Sequence, residues 1–271
     1  NFKIRKILGS AVKFIKMAWI PVAVGAVGAL SHFFGGKSRT TVQYVTNPAL
    51  EDALKTANNA NAHLQKQFAD IQQVLKEQQL DSFEKLKAYD HRAANALVEL
   101  ASQTRAMVLE GRTVALFGVT SSGKSTIINK LLNSKVAAVG VGDTTKAIQP
   151  FNGNGYCLYD IPGRNDDLSY FTSEYISFWK GLTHRLVTIQ STLREMTKVF
   201  SLLDAMDLRY DIVVNKFDLI EDANEAEAFR QQIRNEVHEC GLKGVNKIFF
   251  VSAKKTDQFP DWIKLVQYLR A

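Results

Sequence analysis

The residues at 118–125, Gly-Val-Thr-Ser-Ser-Gly-Lys-Ser, have the types and the spacing that bind phosphate groups. The glycines Gly118 and Gly123 allow the backbone to curl until its N–H groups face phosphate oxygens. Lys124 is predicted to reach the β- and γ-phosphates, and Ser125 is predicted to give its hydroxyl to Mg²⁺. Three neighbours complete the predicted phosphate site: Ser121, Ser122 and Thr126. This segment therefore predicts binding of a nucleoside phosphate.

A second group of polar residues indicates which base is bound. Asn215, Lys216 and Asp218 directly follow the apolar run at 210–214. A carboxylate such as Asp218 accepts hydrogen bonds from the N1–H and the exocyclic amine of guanine, whereas adenine offers neither donor in that arrangement. Another segment follows the apolar run at 247–251 and is predicted to place a backbone N–H near the guanine carbonyl: Ser252, Ala253 and Lys254.

The middle of the chain contains candidates for sensing the terminal phosphate. Asp160 ends the run at 156–160 and is predicted to be the carboxylate on the Mg²⁺ side. The backbone N–H of Gly163 can approach a γ-phosphate and move away when that group is lost. In the loop at 142–146, Thr144 or Thr145 can bind Mg²⁺, and we favour Thr145.

These groups require a scaffold of alternating strands and helices. The run at 113–117 reads as a buried strand before the phosphate loop, and residues 125–132 read as the start of an amphipathic helix after it. The guanine group also follows a strand, and ligands of open α/β sheets bind at the carboxyl ends of the strands. We therefore predict an α/β fold, a P-loop domain with a mostly parallel sheet.

In this order and spacing, the five groups resemble the translation-factor-related class of GTPases over residues 112–271. The Asp-Ile-Pro-Gly segment, the Thr-Thr-Lys segment and the closing run at 259–269 are most similar to immunity-related GTPases and their dynamin-superfamily relatives. The resemblance implies GTP and GDP with Mg²⁺ as ligands, hydrolysis of GTP, and nucleotide-dependent self-association. It also implies that Ser121 compensates charge in the transition state, as a loop serine does in dynamins.

Catalysis is the least specified part of this prediction. Arg164 stands where Ras-type enzymes place the glutamine that orients the attacking water. Hydrolysis is then expected to depend on Lys124, Mg²⁺, backbone groups and a group from a second molecule. Arg164 is either that cation, in cis or across a dimer, or a solvated arginine of a switch segment. The predicted catalytic set is Lys124, Ser121, Thr145, Gly163 and Arg164.

The charge of the chain is concentrated at its beginning. Of 34 Lys and Arg residues, seven lie in residues 1–50, which contain no Asp or Glu, so 27 basic residues remain against 27 acidic ones. A G domain for nucleic acid would be basic itself, so we predict no nucleic-acid partner. The two cysteines, Cys157 and Cys240, provide no disulfide framework and favour the reducing cytosol.

The beginning of the chain is predicted to associate with a membrane. Residues 2–16 have a basic amphipathic pattern that suits an anionic membrane surface, and residues 17–34 carry no formal charge. The second stretch has borderline length for a span. We favour interfacial or re-entrant insertion over a simple span. A mitochondrial presequence or an apolar hairpin packed on the protein itself remains open.

Residues 50–78 place apolar side chains at alternating spacings of four and three, which indicates a long helix that packs on another helix. Asn61 could fix the register of such a pair, and a break is predicted near Ser82. The partner is either a second copy or another helix of the same chain. The predicted organisation is a membrane-associating segment at 1–40, a helical or coiled-coil region at 41–110 and a G domain at 111–271.

Together these features predict a cytoplasmic, membrane-associated GTPase that couples its nucleotide state to self-assembly or membrane action. The alternative is a slowly hydrolysing switch that recruits a protein partner through the helical region. A third possibility, a coiled-coil adaptor with a degenerate nucleotide site, is disfavoured because every core motif is intact.

Overall fold

The computed structural model describes residues 48–135, 137, 149–161 and 168–271, with side chains left out at 48–58, 149, 168 and 169. The chain divides into two compact units, Asn1–Gln67 and Phe68–Ala271. The second unit contains the whole described part of the predicted G domain, together with residues 68–110. The predicted division into 1–40, 41–110 and 111–271 stays a prediction.

A six-stranded sheet forms the centre of the second unit. Its strands lie in the order β2-β3-β1-β4-β5-β6. The strands are β1 (Arg112–Gly118), β2 (Gln149–Gly153), β3 (Tyr156–Asp160), β4 (His184–Ile189), β5 (Tyr210–Val214) and β6 (Val245–Phe250). Only β2 and β3 pair antiparallel among these strands, so the prediction of an α/β fold with a mostly parallel sheet is confirmed.

Helices connect the strands and cover both faces of the sheet, as parallel strands require. The helices of the G domain are α4 (Lys124–Leu132), α5 (Ser173–Gly181), α6 (Thr197–Ala205), α7 (Ala223–Glu239) and α8 (Pro260–Arg270). Local signals set their beginnings. The Asp222 carboxylate accepts the N–H groups of Asn224 and Glu225 at 2.8 and 2.9 Å, which caps α7.

The core follows from the alternation of side chains along β1. Val114 and Leu116 are fully buried on one face, where they join a cluster that includes Ile127 of α4 and Leu265 of α8. Phe117 points to the other face, and its ring centroid lies 5.3 Å from that of Trp179 on α5. Because strand and helix pack on both faces, the carboxyl end of β1 is held firmly where the phosphate loop begins.

Within the described residues, three helices precede the sheet: α1 (Pro48–Glu77), α2 (Phe83–Tyr89) and α3 (His91–Gln103). The predicted break near Ser82 is confirmed, because the Ser82 hydroxyl accepts the Lys85 N–H at 3.2 Å and begins α2. Phe68 and Leu75, two positions of the predicted apolar seam, are 2% and 0% exposed. This part of the seam is therefore covered within the chain itself.

The end of α3 is attached to the G domain by one lysine. Lys180 of α5 donates to the carbonyls of Ala101, Ser102 and Thr104 at 3.0, 3.1 and 2.6 Å. Carbonyls at a helix C-terminus lack partners within the helix and carry partial negative charge, so an ammonium group stabilises them. Burial at this junction lowers the pKa of Lys180.

The predicted membrane-associating segment at 1–40 lies outside the described residues. Within the part that is described, none of the helices combines the length and the apolar character needed to cross a bilayer. The prediction of membrane association is therefore untested by the structure. The two cysteines, Cys157 on β3 and Cys240 at the end of α7, are both free thiols.

Candidate nucleotide-binding site

The phosphate loop joins the end of β1 to the beginning of α4, as predicted. Gly123 lies just before α4 with φ +92°, and a Cβ atom placed there would overlap the amide of Asn215. A Cβ atom at Gly118 would overlap the carbonyl oxygen of Thr188. Both glycines are therefore needed for the close approach of neighbouring loops, and Gly123 is needed for its positive φ as well.

Lys124 is held inside this loop. Its side chain is largely buried, and Nζ donates to the carbonyls of Gly118 and Val119 at 2.8 and 3.1 Å. The ammonium group therefore lies beside the curled backbone, at the N-terminus of α4, where anions are favoured. Thr126 lies in the first turn of the same helix.

Ser125 and Asp160 form the candidate Mg²⁺ site. The Ser125 hydroxyl donates to Asp160 Oδ2 at 2.9 Å, and Asp160 is 2% exposed. The parallel pairing of β1 with β3 sets Leu116 opposite Asp160, which brings the carboxylate to the phosphate loop. A hydroxyl and a carboxylate are the oxygen ligands that Mg²⁺ accepts beside phosphates, so these two residues fit the ion.

Asn215 joins three predicted motifs through one amide. Nδ2 donates to the Ser122 carbonyl at 2.9 Å, and Oδ1 accepts the Ala253 N–H at 3.1 Å. Asn215 is 3% exposed. The structure thus places Asn215 as a brace between the phosphate loop and the segment at 252–254, beneath the position expected for the base.

The segment at 252–254 is closed by its serine. Ser252 Oγ accepts the N–H groups of Lys254 and Lys255 at 3.3 and 3.1 Å. The Ala253 N–H, a candidate for the guanine carbonyl, donates to Asn215 in this structure. Lys254 is exposed. The three residues therefore form a tight turn at the carboxyl end of β6, where the sequence predicted them.

Asp218 lies in a short 3₁₀ turn, Phe217–Leu219, directly after β5. Its side chain is only 10% exposed, and Oδ2 lies 3.8 Å from the ammonium group of Lys255. Lys255 was not among the residues predicted from the sequence. In the sequence, Lys255 is distinguished only by following the segment at 252–254. A lysine at such a position is too common to reveal that its ammonium group lies near the carboxylate predicted to read the base.

Gln190 is a second residue near the site that was not predicted from the sequence. It follows β4, and its Oε1 accepts the ammonium group of Lys216 at 2.9 Å while its Nε2 donates to the Ser121 carbonyl at 2.9 Å. Lys216 and Ser121 both have positive φ, 62° and 66°. A polar residue at the carboxyl end of a buried strand is the only signal for Gln190 in the sequence.

Part of the predicted site lies outside the described residues. This applies to the switch threonines Thr144 and Thr145, to Gly163 and to Arg164. Their roles stay predictions. The structure brings together the phosphate loop, Asp160 and the two segments predicted to read guanine, at one edge of the sheet. Such an arrangement binds a nucleotide with its phosphates at the helix N-terminus and its base between the loops after β5 and β6.

The fold and this site define the class of protein: a P-loop GTPase of the translation-factor-related class. Residues 113–247 match the model of a protein family described as 50S ribosome-binding GTPase. Residues 113–247 therefore resemble the GTPase domain of this family. The prediction of a GTPase is confirmed.

Two curated relatives are similar to part of this chain. The chain is 28% identical over 119 residues to the GTP-binding protein EngB of Mycoplasmoides gallisepticum, covering 40% of this chain and 64% of EngB. It is 29% identical over 131 residues to the GTPase Era of Fusobacterium nucleatum subsp. nucleatum, covering 44% of each chain. The chain thus spans less than two thirds of either relative.

Solved structures give weaker similarities. Era of Aquifex aeolicus bound to GDP and aluminium fluoride is 21% identical, with a TM-score of 0.44 over 58% of this chain and 56% of Era. The elongation factor SelB of Methanococcus maripaludis is 14% identical, with a TM-score of 0.43 over 60% of this chain and 34% of SelB. The narrower resemblance to immunity-related GTPases and dynamins stays a prediction.

Proposed function

We propose that this protein binds GTP with Mg²⁺, hydrolyses it to GDP, and uses the nucleotide state to control the helices ahead of its G domain. Those helices would act on a membrane surface or on a second copy of the chain, on the cytoplasmic side where GTP is available. The observation that carries this proposal is the contact of Lys180 with the end of α3.

In the proposed reaction, the residues described here bind and orient the substrate. The loop N–H groups and Lys124 hold the β- and γ-phosphates, which places the terminal phosphate for in-line attack by water. Ser125 and Asp160 would hold Mg²⁺, which supplies charge neutralisation for the phosphates when it is bound. Asp218 orients guanine. We propose that the group that orients the attacking water belongs to residues 142–146 or 162–167, with Thr145 and Arg164 as candidates.

Helix α5 is suited to report the nucleotide state because it begins soon after Gly163. Besides Lys180, the Ser177 hydroxyl donates to the Arg105 carbonyl at 2.8 Å, and the Met107 N–H donates to the Ser177 carbonyl at 2.8 Å. A displacement of α5 would therefore change five hydrogen bonds to residues 101–107. We propose that loss of the γ-phosphate reaches α3 by this route.

Hydrogen exchange tests the coupling directly. We expect amides at 100–107 to exchange at different rates with GDP and with a non-hydrolysable GTP analogue. In Lys180→Met this difference should shrink, while GDP affinity stays within about threefold of wild type, because Lys180 lies outside the nucleotide site. Lys87→Met, an exposed lysine on α2, serves as the matched control. Identical exchange in both nucleotide states of the wild-type protein would contradict the proposal.

A slowly hydrolysing switch is the second candidate function. It is favoured by Arg164, which stands in place of the water-orienting glutamine. Multiple-turnover assays across a range of protein concentrations separate the two candidates. Hydrolysis that accelerates with concentration supports the assembling enzyme, whereas a flat, slow rate supports a switch that recruits a partner through its helices.

A specific partner can be proposed for such a switch. Because the matched family is described as ribosome-binding, we propose the 50S ribosomal subunit as the partner to test first. The prediction that no nucleic acid is bound gains no support from this family description. Cosedimentation with purified 50S subunits in the presence of GDP or a GTP analogue tests the idea, and pelleting that is equal with and without subunits would contradict it.

A further inference from the structure

Gln190 connects the two halves of the nucleotide site. Its amide oxygen accepts from Lys216, in the guanine segment, and its amide nitrogen donates to the carbonyl of Ser121, in the phosphate loop. We infer that Gln190 is a positioning residue that holds the guanine-reading loop at a fixed distance from the phosphate loop. This inference rests on the proposed nucleotide binding and deepens it by naming a residue that positions the Asp218 carboxylate for guanine.

The place of Gln190 in the sheet makes this connection possible. It follows β4, which lies between β1 and β5 in the sheet. The phosphate loop follows β1 and the guanine segment follows β5, so Gln190 stands between them at the same edge. A single side chain can reach both loops because adjacent strands of a sheet lie only about 5 Å apart.

Both residues that Gln190 contacts have a left-handed backbone conformation. Ser121 has φ 66° and Lys216 has φ 62°, and neither residue is glycine. A side chain in this left-handed conformation is disfavoured, and it persists where surrounding contacts determine it. The Gln190 amide supplies such a contact to each loop.

Asn215 and Gln190 divide the attachment of the phosphate loop between them. Asn215 holds the carbonyl of Ser122, and Gln190 holds that of the preceding residue, Ser121. The Asn215 link is buried and reaches the turn at 252–254, whereas Gln190 is half-buried and reaches Lys216, two residues before Asp218. The position of the Asp218 carboxylate relative to the phosphates therefore depends on Gln190.

Only an amide satisfies both contacts. Its oxygen faces an ammonium group and its nitrogen faces a carbonyl. In Gln190→Glu the contact with Lys216 would remain, but a carboxylate oxygen would face the Ser121 carbonyl without a proton to donate. In Gln190→Leu both contacts would be lost at nearly constant volume. The expected order of function is therefore wild type, then the Glu variant, then the Leu variant.

Titration with GDP and with inosine diphosphate tests the inference. Inosine lacks the exocyclic amine, so the ratio of the two affinities measures how well Asp218 is positioned on the base. We expect Gln190→Leu to bind GDP about tenfold more weakly, as loss of a charged hydrogen bond predicts. Its preference for GDP over inosine diphosphate should fall at least threefold. The KM for GTP should rise while kcat at saturation stays nearly constant.

Two further measurements separate positioning from general destabilisation. In a double-mutant cycle, Gln190→Leu and Lys216→Met should be non-additive in GDP affinity, because one contact is lost in both. Gln65→Leu, an exposed glutamine of α1, is the matched control and should leave both affinities unchanged. An unchanged nucleotide ratio in Gln190→Leu, with normal GDP binding by the wild-type protein, would overturn this inference alone. Failure of the wild-type protein to bind GDP would overturn the proposed function and this inference with it.

Discussion

The predicted reading of guanine depends on the Asp218 carboxylate, which is only 10% exposed in the turn after β5. In Asp218→Asn one acceptor is replaced by a donor, so guanine N1–H and the exocyclic amine lose a common partner. We expect GDP affinity to fall by about 100-fold or more, and xanthosine diphosphate, whose C2 carbonyl can accept from the new amide, to bind better. Calorimetric titration with GDP, ADP and xanthosine diphosphate measures this. Equal binding of ADP and GDP by the wild-type protein would contradict it.

The contact between Gly123 and Asn215 yields a prediction about stability. In Gly123→Ala the new Cβ would overlap the Asn215 amide at a backbone φ of +92°. We expect the free energy of unfolding to fall by about 2–4 kcal/mol. Gly155→Ala is the control, because Gly155 has φ +83° and no described atom within 4 Å of an added Cβ. Urea unfolding of both variants separates overlap from backbone strain, and equal losses would show that overlap contributes nothing.

At the scale of single residues, the sequence predicted those site residues that stand at a fixed spacing from an apolar run. The phosphate loop, Asp160 and Asp218 stand at fixed positions relative to apolar runs, and the structure brings them together. Gln190 and Lys255 were not predictable, because each is a single polar residue whose partner is distant in the sequence. The bracing position of Asn215 was also not predicted. An asparagine amide can contact either a base or backbone groups, and the residue type does not distinguish the two.

At the scale of elements, an ion-pair cluster joins the preceding helices to the G domain. The Asp81 carboxylate lies 2.8 Å from Lys85 on α2 and 2.9 Å from Lys198 on α6. Hydrogen bonds from Lys85 and then Lys198 lower the pKa of Asp81 from 3.8 to about 2. Because the pKa is depressed in the folded state, the cluster stabilises the protein above pH 3.8, and its contribution is lost as the pH falls through about 2.

We therefore expect Asp81→Asn to remove part of the acid sensitivity of the protein. The wild-type free energy of unfolding should fall between pH 4 and pH 2 by on the order of 1 kcal/mol more than that of the variant, after allowance for solvent screening. Urea unfolding across this pH range measures the difference. Asp70→Asn, an exposed aspartate on α1, is the matched control. Parallel pH curves for wild type and Asp81→Asn would contradict the role of the cluster.

The elements themselves were largely predictable, but their association was not. The run at 210–214 coincides with β5, and residues 125–132, predicted to start a helix, lie in α4. The apolar stripe of α1 indicated that something covers it, and only the structure shows Phe68 and Leu75 buried within the chain. A stripe specifies the face that packs, whereas the partner depends on the shape of surfaces far away in sequence.

At the scale of the whole molecule, the uneven distribution of charge predicts membrane association. The seven basic residues in the first 50 account for the entire net charge of +7. We expect the full chain to float with vesicles that contain anionic lipid and to be released by high salt, because each basic residue near such a surface contributes about 1 kcal/mol. Deletion of residues 1–40 should abolish flotation.

Two outcomes would decide against this prediction. Flotation of the deletion variant as strong as that of the full chain would assign membrane binding to another part of the protein. Equal flotation with neutral vesicles would remove the electrostatic contribution. GDP binding by the deletion variant serves as the control for folding, since the phosphate loop and the guanine segments lie far beyond residue 40.

The brace formed by Asn215 has a consequence for the timing of nucleotide exchange. Its amide joins Ser122 to Ala253 through contacts between protein atoms alone. A site that is braced by the protein's own contacts binds its ligand with little rearrangement, so we expect GTP and GDP to associate at similar rates. The dissociation rates of GTP and GDP, together with their concentrations, would then determine which nucleotide is bound. Any factor that accelerates nucleotide exchange would have to accelerate dissociation.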